Sequence, residues 1–395
     1  MSKYLEIEYS APYRGIDTET PAILLDPSAS PAMLNVWLRN KEIRSAPPFI
    51  RILSGPERNN APLGQSSFMD ANNQNHTCSF TSRGLWQLRA NNGTPGQNDW
   101  IFVGAPFLAT GVPVSSRAFA NVLYYTNGVP YVLSWDGIES NPQVVSQLNS
   151  STFGGAGGSV GGLFLYEIND QVCILNCSLF NVAQITSPIT GSGPTTLLAN
   201  SVTQYPQLLW YSANGIPDVW DPTVNISAGF ENFLDVPDNF TGVMAFGEVA
   251  YLFRNNGITY QTITGSTALA PFYFDHMWSS EYGVGCVYPW SIAQYGSVGF
   301  FVSTEDVYKI GVEAFEAVGG GARDAIMADL ANAIGYPVAG VISSYAYGYI
   351  YVRYELCIPI PGGTKIWSYS LDDKNWMPQM YPQVQILGRP SVCWR

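Results

Sequence analysis

Charge is what this chain is short of. Only 12% of its 395 residues are Asp, Glu, Lys or Arg, about half the usual share. That is too little to coat an ordinary monomer of this size, so either strand propensity or burial against other subunits must account for the abundant Tyr, Trp and Phe. No run approaches the roughly 18 consecutive apolar residues of a membrane-spanning helix. The opening Met-Ser-Lys-Tyr-Leu-Glu-Ile-Glu-Tyr has early acids and no long apolar stretch, so no secretory signal is expected. Asn-x-Ser/Thr matches such as Asn149 and Asn239 then read as chance.

Catalytic chemistry is equally thin. There are two histidines, His76 and His276, and a Ser/His/Asp or Cys/His arrangement would need one of them. His276 lies in the aromatic run Phe274-Asp275-His276-Met277-Trp278, the setting of a core or interface histidine. His76 is expected in a polar, exposed loop. The six cysteines (Cys78, Cys173, Cys177, Cys286, Cys357, Cys393) are scattered and read as free buried thiols. Cys173 and Cys177 are expected on one face of a strand, with no second pair nearby to complete a zinc site. No alternating-Asp calcium loop occurs. Gly154 to Gly162 is glycine-rich but lacks the Gly-Lys-Ser/Thr ending of a phosphate loop, so a flexible loop is expected. The acid pairs Asp218 with Asp221, Asp235 with Asp238, and Asp372 with Asp373 resemble the two carboxylates of a glycosidase only in type; beside Pro, Asn or Asp they read as turn caps. We assign no catalytic, cofactor-binding or metal residue, and no cofactor.

Bases are missing from a long stretch. Residues 1–60 hold seven acids and seven bases, whereas 61–395 hold 23 acids and 11 bases. Between Arg117 and Arg254 there is no Lys or Arg, while Asp136, Glu139, Glu167, Asp170, Asp218, Asp221, Glu231, Asp235, Asp238 and Glu248 all fall there. Tight nucleic-acid binders set Lys and Arg against phosphate. This segment would repel DNA at close range, which argues against a DNA-binding enzyme but not against a conduit, because a passage for DNA must not grip it.

What is present is one small device used repeatedly: apolar strand, tight polar turn, second strand. Phe246 to Phe253 leads through Asn256-Gly257, expected with φ > 0 in a two-residue turn, into Ile258 to Ile263. Gly299 to Ser303 leads into Val307 to Ile310. Further copies run from Tyr124 to Trp135, from Leu208 through Asn214-Gly215 to Trp220, and from Tyr349 to Tyr369. Turn centres fall near 92, 136, 214, 256, 305 and 372. Several gaps approach the roughly 40–50 residues of a propeller blade, and the gap from 136 to 214 has room for two. The expected fold is all-β, a degenerate propeller of five to seven blades spanning 61–395, with a jelly roll or stacked sandwich as the alternative. One short helix is expected over Ala322 to Ile334, with Ile326, Met327, Leu330 and Ile334 in register. Residues 1–60, broken by Pro12, Pro21, Pro27, Pro31, Pro47 and Pro48, read as a docking arm, or else an irregular first blade. Ser28 to Arg39 has the cap and spacing of a short helix, and Arg39 to Arg44 reads as a hairpin turn into a strand.

Several strings resemble a known family. Thr20-Pro-Ala-Ile-Leu-Leu-Asp26 with Leu38 to Arg44 is similar to the opening of tail hub or nozzle proteins of short-tailed bacteriophages, also called packaged-DNA stabilisation proteins. So are Phe246 to Thr259, Tyr282-Gly-Val-Gly285, Tyr295 to Ser303 and Gly319 to Asp324. The resemblance implies a propeller-based structural protein without enzymatic activity, in a ring of six below portal and adaptor proteins. Tail fibre or needle proteins would attach, and genomic DNA would pass the lumen without tight binding. It places the protein in the virion tail, assembled in the host cytoplasm. Two other readings stay open: a glycan-binding propeller using exposed Trp and Tyr, and a propeller glycosidase using an acid pair.

Overall fold

The computed structural model describes residues 34, 36–39, 42–45, 62–88, 100–104, 108–129, 131–139, 141–145, 159–181, 201–235, 238–265, 271–277, 283–311, 315–346 and 349–382. A hairpin of β1 (Val36–Arg39) and β2 (Glu42–Ser45) comes first. Twenty-four strands then form six four-stranded antiparallel sheets, each from consecutive strands in simple up-and-down order. Blade 1 is β3 (Gly64–Met69), β4 (Asn75–Thr81), β5 (Gly84–Leu88) and β6 (Trp100–Gly104). Blade 2 is β7 (Ser115–Phe119), β8 (Val122–Thr126), β9 (Leu133–Trp135) and β10 (Gln143–Val144). Blade 3 is β11 (Ser159–Ile168), β12 (Gln171–Asn181), β13 (Ser201–Tyr211) and β14 (Gly229–Asn232). Blade 4 is β15 (Phe240–Phe246), β16 (Val249–Arg254), β17 (Ile258–Ile263) and β18 (Phe272–Met277). Blade 5 is β19 (Ala293–Tyr295), β20 (Val298–Val302), β21 (Val307–Ile310) and β22 (Phe315–Ala317). Blade 6 is β23 (Val338–Ala346), β24 (Tyr349–Ile360), β25 (Gly363–Ser370) and β26 (Trp376–Pro382).

The first strands touch one another between blades 1 and 2, 2 and 3, 3 and 4, and 5 and 6, which puts the first strands innermost and each fourth strand at an outer edge. The molecule is a six-bladed β-propeller with one α-helix. The second strands are buried on both faces, because each blade is sandwiched between neighbours. This is why Ala250-Tyr-Leu-Phe-Arg254 reads as a continuous buried run rather than an alternation.

Apolar clusters glue the blades pairwise: Phe80, Leu85, Tyr125 and Leu133 between blades 1 and 2; Tyr124, Val160, Ile174 and Trp210 between 2 and 3; Phe253 and Phe301 between 4 and 5; Phe300, Tyr354 and Trp367 between 5 and 6. The cluster between blades 3 and 4, with Phe164, Phe240 and Leu252, also contains Val338, Cys357 and Ile366 of blade 6. Blades 3 and 6 stand opposite each other in a six-blade ring. Trp290, on a 3-10 turn at Pro289–Ser291 that touches β15, β20 and β23, belongs to the same cluster and lies 5.2 Å from the Phe164 ring. Side chains therefore fill the axis at this level. No apolar cluster joins blade 6 to blade 1 among the described residues. The first hairpin touches β26 of blade 6.

Several expectations need correction. The six turn centres mark one blade each, and the gap from 136 to 214 holds no extra blade. Blade 3 is simply long, and Leu208 to Trp220 is not a two-strand device. After β13 the chain makes an excursion over 212–228, and the buried Trp220 accepts a hydrogen bond from Trp210 Nε1 at its carbonyl (3.0 Å). The glycine-rich stretch becomes β11 from Ser159 onward. A Cβ on Gly161 would collide with the Val129 carbonyl oxygen, so glycine there lets two blades close. A bulge in β12 at Asn176 (φ 57) reverses strand parity, so Cys173 and Cys177 face different neighbours rather than one. The five described cysteines are buried. The helix α1 is Arg323–Ala331; Ile326 and Leu330 are buried, but Ile334 lies beyond it and is 56% exposed. Val36–Arg39 is a strand where a helix was expected, paired with Glu42–Ser45. The remainder of the expected helix and most of the arm lie outside the described residues.

Candidate functional site

The base-free stretch maps onto blades 2 and 3 and the first half of blade 4, one continuous side of the ring. The cations at its ends are not free. Arg117 donates from Nη2 and Nε to Glu167 Oε2, at 2.7 and 3.1 Å. Arg254 is 2% exposed. Glu139, Asp170, Asp218, Asp235 and Glu248 are exposed on this side. Between blades 2 and 3 lies a cavity of about 370 Å³ lined by Val122, Ser134, Asp136, Glu139, Gln143 and Asp218, among others. Buried Tyr124 donates its hydroxyl to Asp218 Oδ1 at 3.0 Å.

Between blades 3 and 4 the fold gathers residues that are far apart in sequence. Arg254, at the end of β16, lays its guanidinium over the Phe240 ring at 4.2 Å and the Phe233 ring at 5.5 Å. Its Nη1 donates to the Asp238 carbonyl at 2.6 Å and its Nε to Thr259 Oγ1 at 3.1 Å. Thr259 Oγ1, already an acceptor, has its proton free for His276 Nδ1 at 3.2 Å. The His276 Nε2–H then donates to Asp235 Oδ2 at 3.1 Å. Burial pushes the Arg254 guanidinium down to about 10, opposed by Asp238 and Asp235, so it stays charged near neutrality. Burial, then the Asp235 charge, raises the Glu231 carboxyl. Leu234 at the rim is 74% exposed.

The Asp238 side chain caps the β16–β17 turn: Oδ2 accepts from Asn256 N (2.8 Å) and Oδ1 from Asn255 Nδ2 (3.1 Å). Arg254 N donates to Gly257 O (2.8 Å), so the turn centres on Asn255-Asn256. None of residues 255–257 has φ > 0, contrary to expectation. With the carboxylate cap, the mirror-image turn is unnecessary. Asp235 and Asp238 are thus both engaged, one by imidazole and one by a turn, and both ring nitrogens of His276 have partners.

The other acid pairs separate in role. Asp218 faces the cavity, whereas Asp221 Oδ1 accepts from Thr223 N and Oγ1. Asp373 accepts from Ser370 Oγ (3.2 Å) beside the β25–β26 turn. His76 is not in an open loop. It is buried, with Nε2 3.1 Å from Asp70 Oδ2 and Nδ1 2.7 Å from Gln87 Nε2, stacked on Phe68 at 5.1 Å and edge-on to Trp135 of blade 2 at 5.3 Å. The Gln74 amide, then His76, with help from Asn72, holds the Asp70 carboxyl below its usual range, against burial. Among the described residues no group of three or more His, Cys, Asp or Glu is placed to hold a metal ion. No described helix is long and apolar enough to cross a membrane. Sequence reasoning missed Arg254 and Thr259; the one available signal was that Arg254 alone ends the base-free stretch.

No protein-family model matches the chain, and no curated protein matches it. Solved structures similar to it include the AfRom2 CNH domain, at 7% identity and TM-score 0.38, over 82% of this chain and 85% of that one. The computationally designed Ika8 protein is 9% identical at TM-score 0.37, over 82% and 87%. AofleA from Arthrobotrys oligospora is 10% identical at 0.32, over 82% and 73%. Likenesses at this level carry no argument about function.

Proposed function

We propose that this chain is a structural subunit of a bacterial virus tail, a nozzle or hub ring that continues the DNA channel below portal and adaptor proteins. The observation that carries the reading is the anionic side of the propeller: blades 2, 3 and half of 4 hold no Lys or Arg between a paired Arg117 and a buried Arg254. Turned toward a shared passage, that side would repel phosphate rather than hold it. The filled axis around Trp290 and Phe164 fits the same reading, because the passage would lie between subunits and not through the blades. The ring would be cyclic, with head-to-tail interfaces that close, and the protein would act by self-contact and by guiding DNA rather than by catalysis.

Electron microscopy and native mass spectrometry of the purified chain, alone and with tail-less virions carrying portal and adaptor, test this. Rings with blades 2 and 3 toward the hole are expected. Monomers at high concentration that are not recruited by such particles would overturn it.

A second reading, glycan binding, rests on a smaller feature. Among the tryptophans whose side chains are described, only Trp86 escapes full burial; it pairs with the 41%-exposed Phe102 at 5.0 Å, with Arg83 5.9 Å from that ring. A glycan array without a hit removes it.

A further inference from the structure

Three Asn-Gly pairs fall among the described residues: Asn127-Gly128, Asn214-Gly215 and Asn256-Gly257. In such a pair the glycine nitrogen can attack the asparagine side-chain carbon, since no side chain at the second residue blocks the approach. Two of the three are locked. Asn127 is 1% exposed; its Oδ1 accepts from Ala109 N (3.1 Å), and its Nδ2 donates to the Ala109 and Val112 carbonyls (3.0 and 3.1 Å). The Gly128 N–H is taken by Gly162 O at 3.0 Å. Asn214 Nδ2 donates to Asn169 O at 2.5 Å, and the Gly215 N–H to Asp170 O at 2.8 Å. In both pairs the carbon under attack is fixed and the attacking nitrogen is occupied.

Asn256-Gly257 differs on each count. Asn256 is exposed, and among the described residues its Nδ2 reaches only Asp238 Oδ2, at 3.5 Å. The Gly257 N–H has no hydrogen-bond partner among the described residues. Its natural hairpin partner, the Arg254 carbonyl, instead accepts from Cys286 N at 2.8 Å. The neighbouring segment crowds that carbonyl so closely that a Cβ on Gly285 would collide with it.

We propose that Asn256 is a self-modification site. The Gly257 nitrogen loses its proton to solvent base and bonds to Asn256 Cγ. The Cγ–Nδ2 bond breaks and that nitrogen leaves as ammonia, closing a succinimide. Water then opens the ring at either carbonyl, leaving aspartate or isoaspartate at position 256. One water enters and one ammonia leaves, with no oxidant, metal or enzyme. The product sets a carboxylate where an amide had faced Asp238. Repulsion between the two weakens the Asp238 cap on the turn and adds charge to a side of the molecule that already lacks cations.

The test incubates the full-length protein in mildly alkaline buffer at body temperature, then quantifies aspartyl and isoaspartyl peptides by mass spectrometry. Position 256 is expected to convert at least about tenfold faster than 127 and 214, which must first open locally. Gly257→Ala should abolish most of the conversion. A Cβ there meets nothing within 4 Å and φ is not positive, so the variant should fold, as a thermal melt will verify. Conversion at 256 no faster than at the two locked sites overturns the proposal. So does wild-type-like conversion in the alanine variant, or an inert native site in a protein that converts when denatured.

Discussion

Replacing Trp290 with alanine probes the centre of the ring. The side chain is 2% exposed, lies 5.2 Å from Phe164, and sits in the one cluster that blades 3, 4 and 6 share. Truncating a buried Trp typically costs about 3–5 kcal/mol, a large part of the about 5–15 kcal/mol that holds a domain folded. The upper half of that range is expected, because three hydrogen-bonded sheets surround the site and cannot collapse into the void. With a urea slope of about 3 kcal/mol/M, the unfolding midpoint should fall by about 1.3–1.7 M. Trp290→Phe keeps an aromatic ring against Phe164 and should lose less than half as much. The assay is urea unfolding followed by far-ultraviolet circular dichroism. A midpoint loss below about 0.2 M for the alanine variant, equivalent to a surface substitution, would show that the axis is not a shared core. Equal losses for alanine and phenylalanine would refute the geometric argument.

Gly161→Ala should cost about 1–3 kcal/mol by overpacking, since its Cβ collides with the Val129 carbonyl oxygen; the urea midpoint reports it. Arg353 and Glu355 are buried together, with Nε 3.5 Å from Oε1. Arg353→Met alone should cost about 3–5 kcal/mol by stranding a carboxylate, and adding Glu355→Gln should recover most of that; a double variant no more stable than the single one would contradict this. Burial raises the Glu355 carboxyl despite Arg353, so its stabilising contribution is present at low pH and lost as pH rises through the raised value. The wild type should therefore lose ground to Glu355→Gln over that range. Asp70 works in the opposite direction. Its lowered folded value means stability that is present above the ordinary Asp range and lost as pH falls through the folded value, so Asp70→Asn should flatten the acid limb of a midpoint-versus-pH plot.

The blade devices were legible because their hairpins are local: β16–β17, β20–β21 and β24–β25 each lie where an apolar run, a polar turn and a second run stand side by side. Blade 3 was not, because its third and fourth strands are separated by the 212–228 excursion, whose Val219-Trp220 imitates a strand while packing as a buried loop. The parity reversal at Asn176 was invisible for a similar reason, since a bulge changes facing without changing composition. Strand residues 36–39 carry helical spacing that pairing overrides. In the candidate site, Asp235, Asp238 and His276 were visible singly. Their assembly around Arg254 depends on contacts across 16 to 41 positions, which no local pattern encodes. The buried Asp70–His76–Gln87 network looked like an exposed loop because its shielding comes from Trp135, in the next blade.

Among the described residues every blade is complete in itself: no sheet borrows a strand from a distant part of the chain. Most contacts within a blade therefore close over short loops, which favours rapid local ordering. As the nascent chain emerges, each sheet can form and then dock on the one before it, in order, without waiting for the carboxyl end. In that order the ring would grow by accretion, and docking of the sixth blade, whose Val338 reaches the Trp290 cluster, would close the centre.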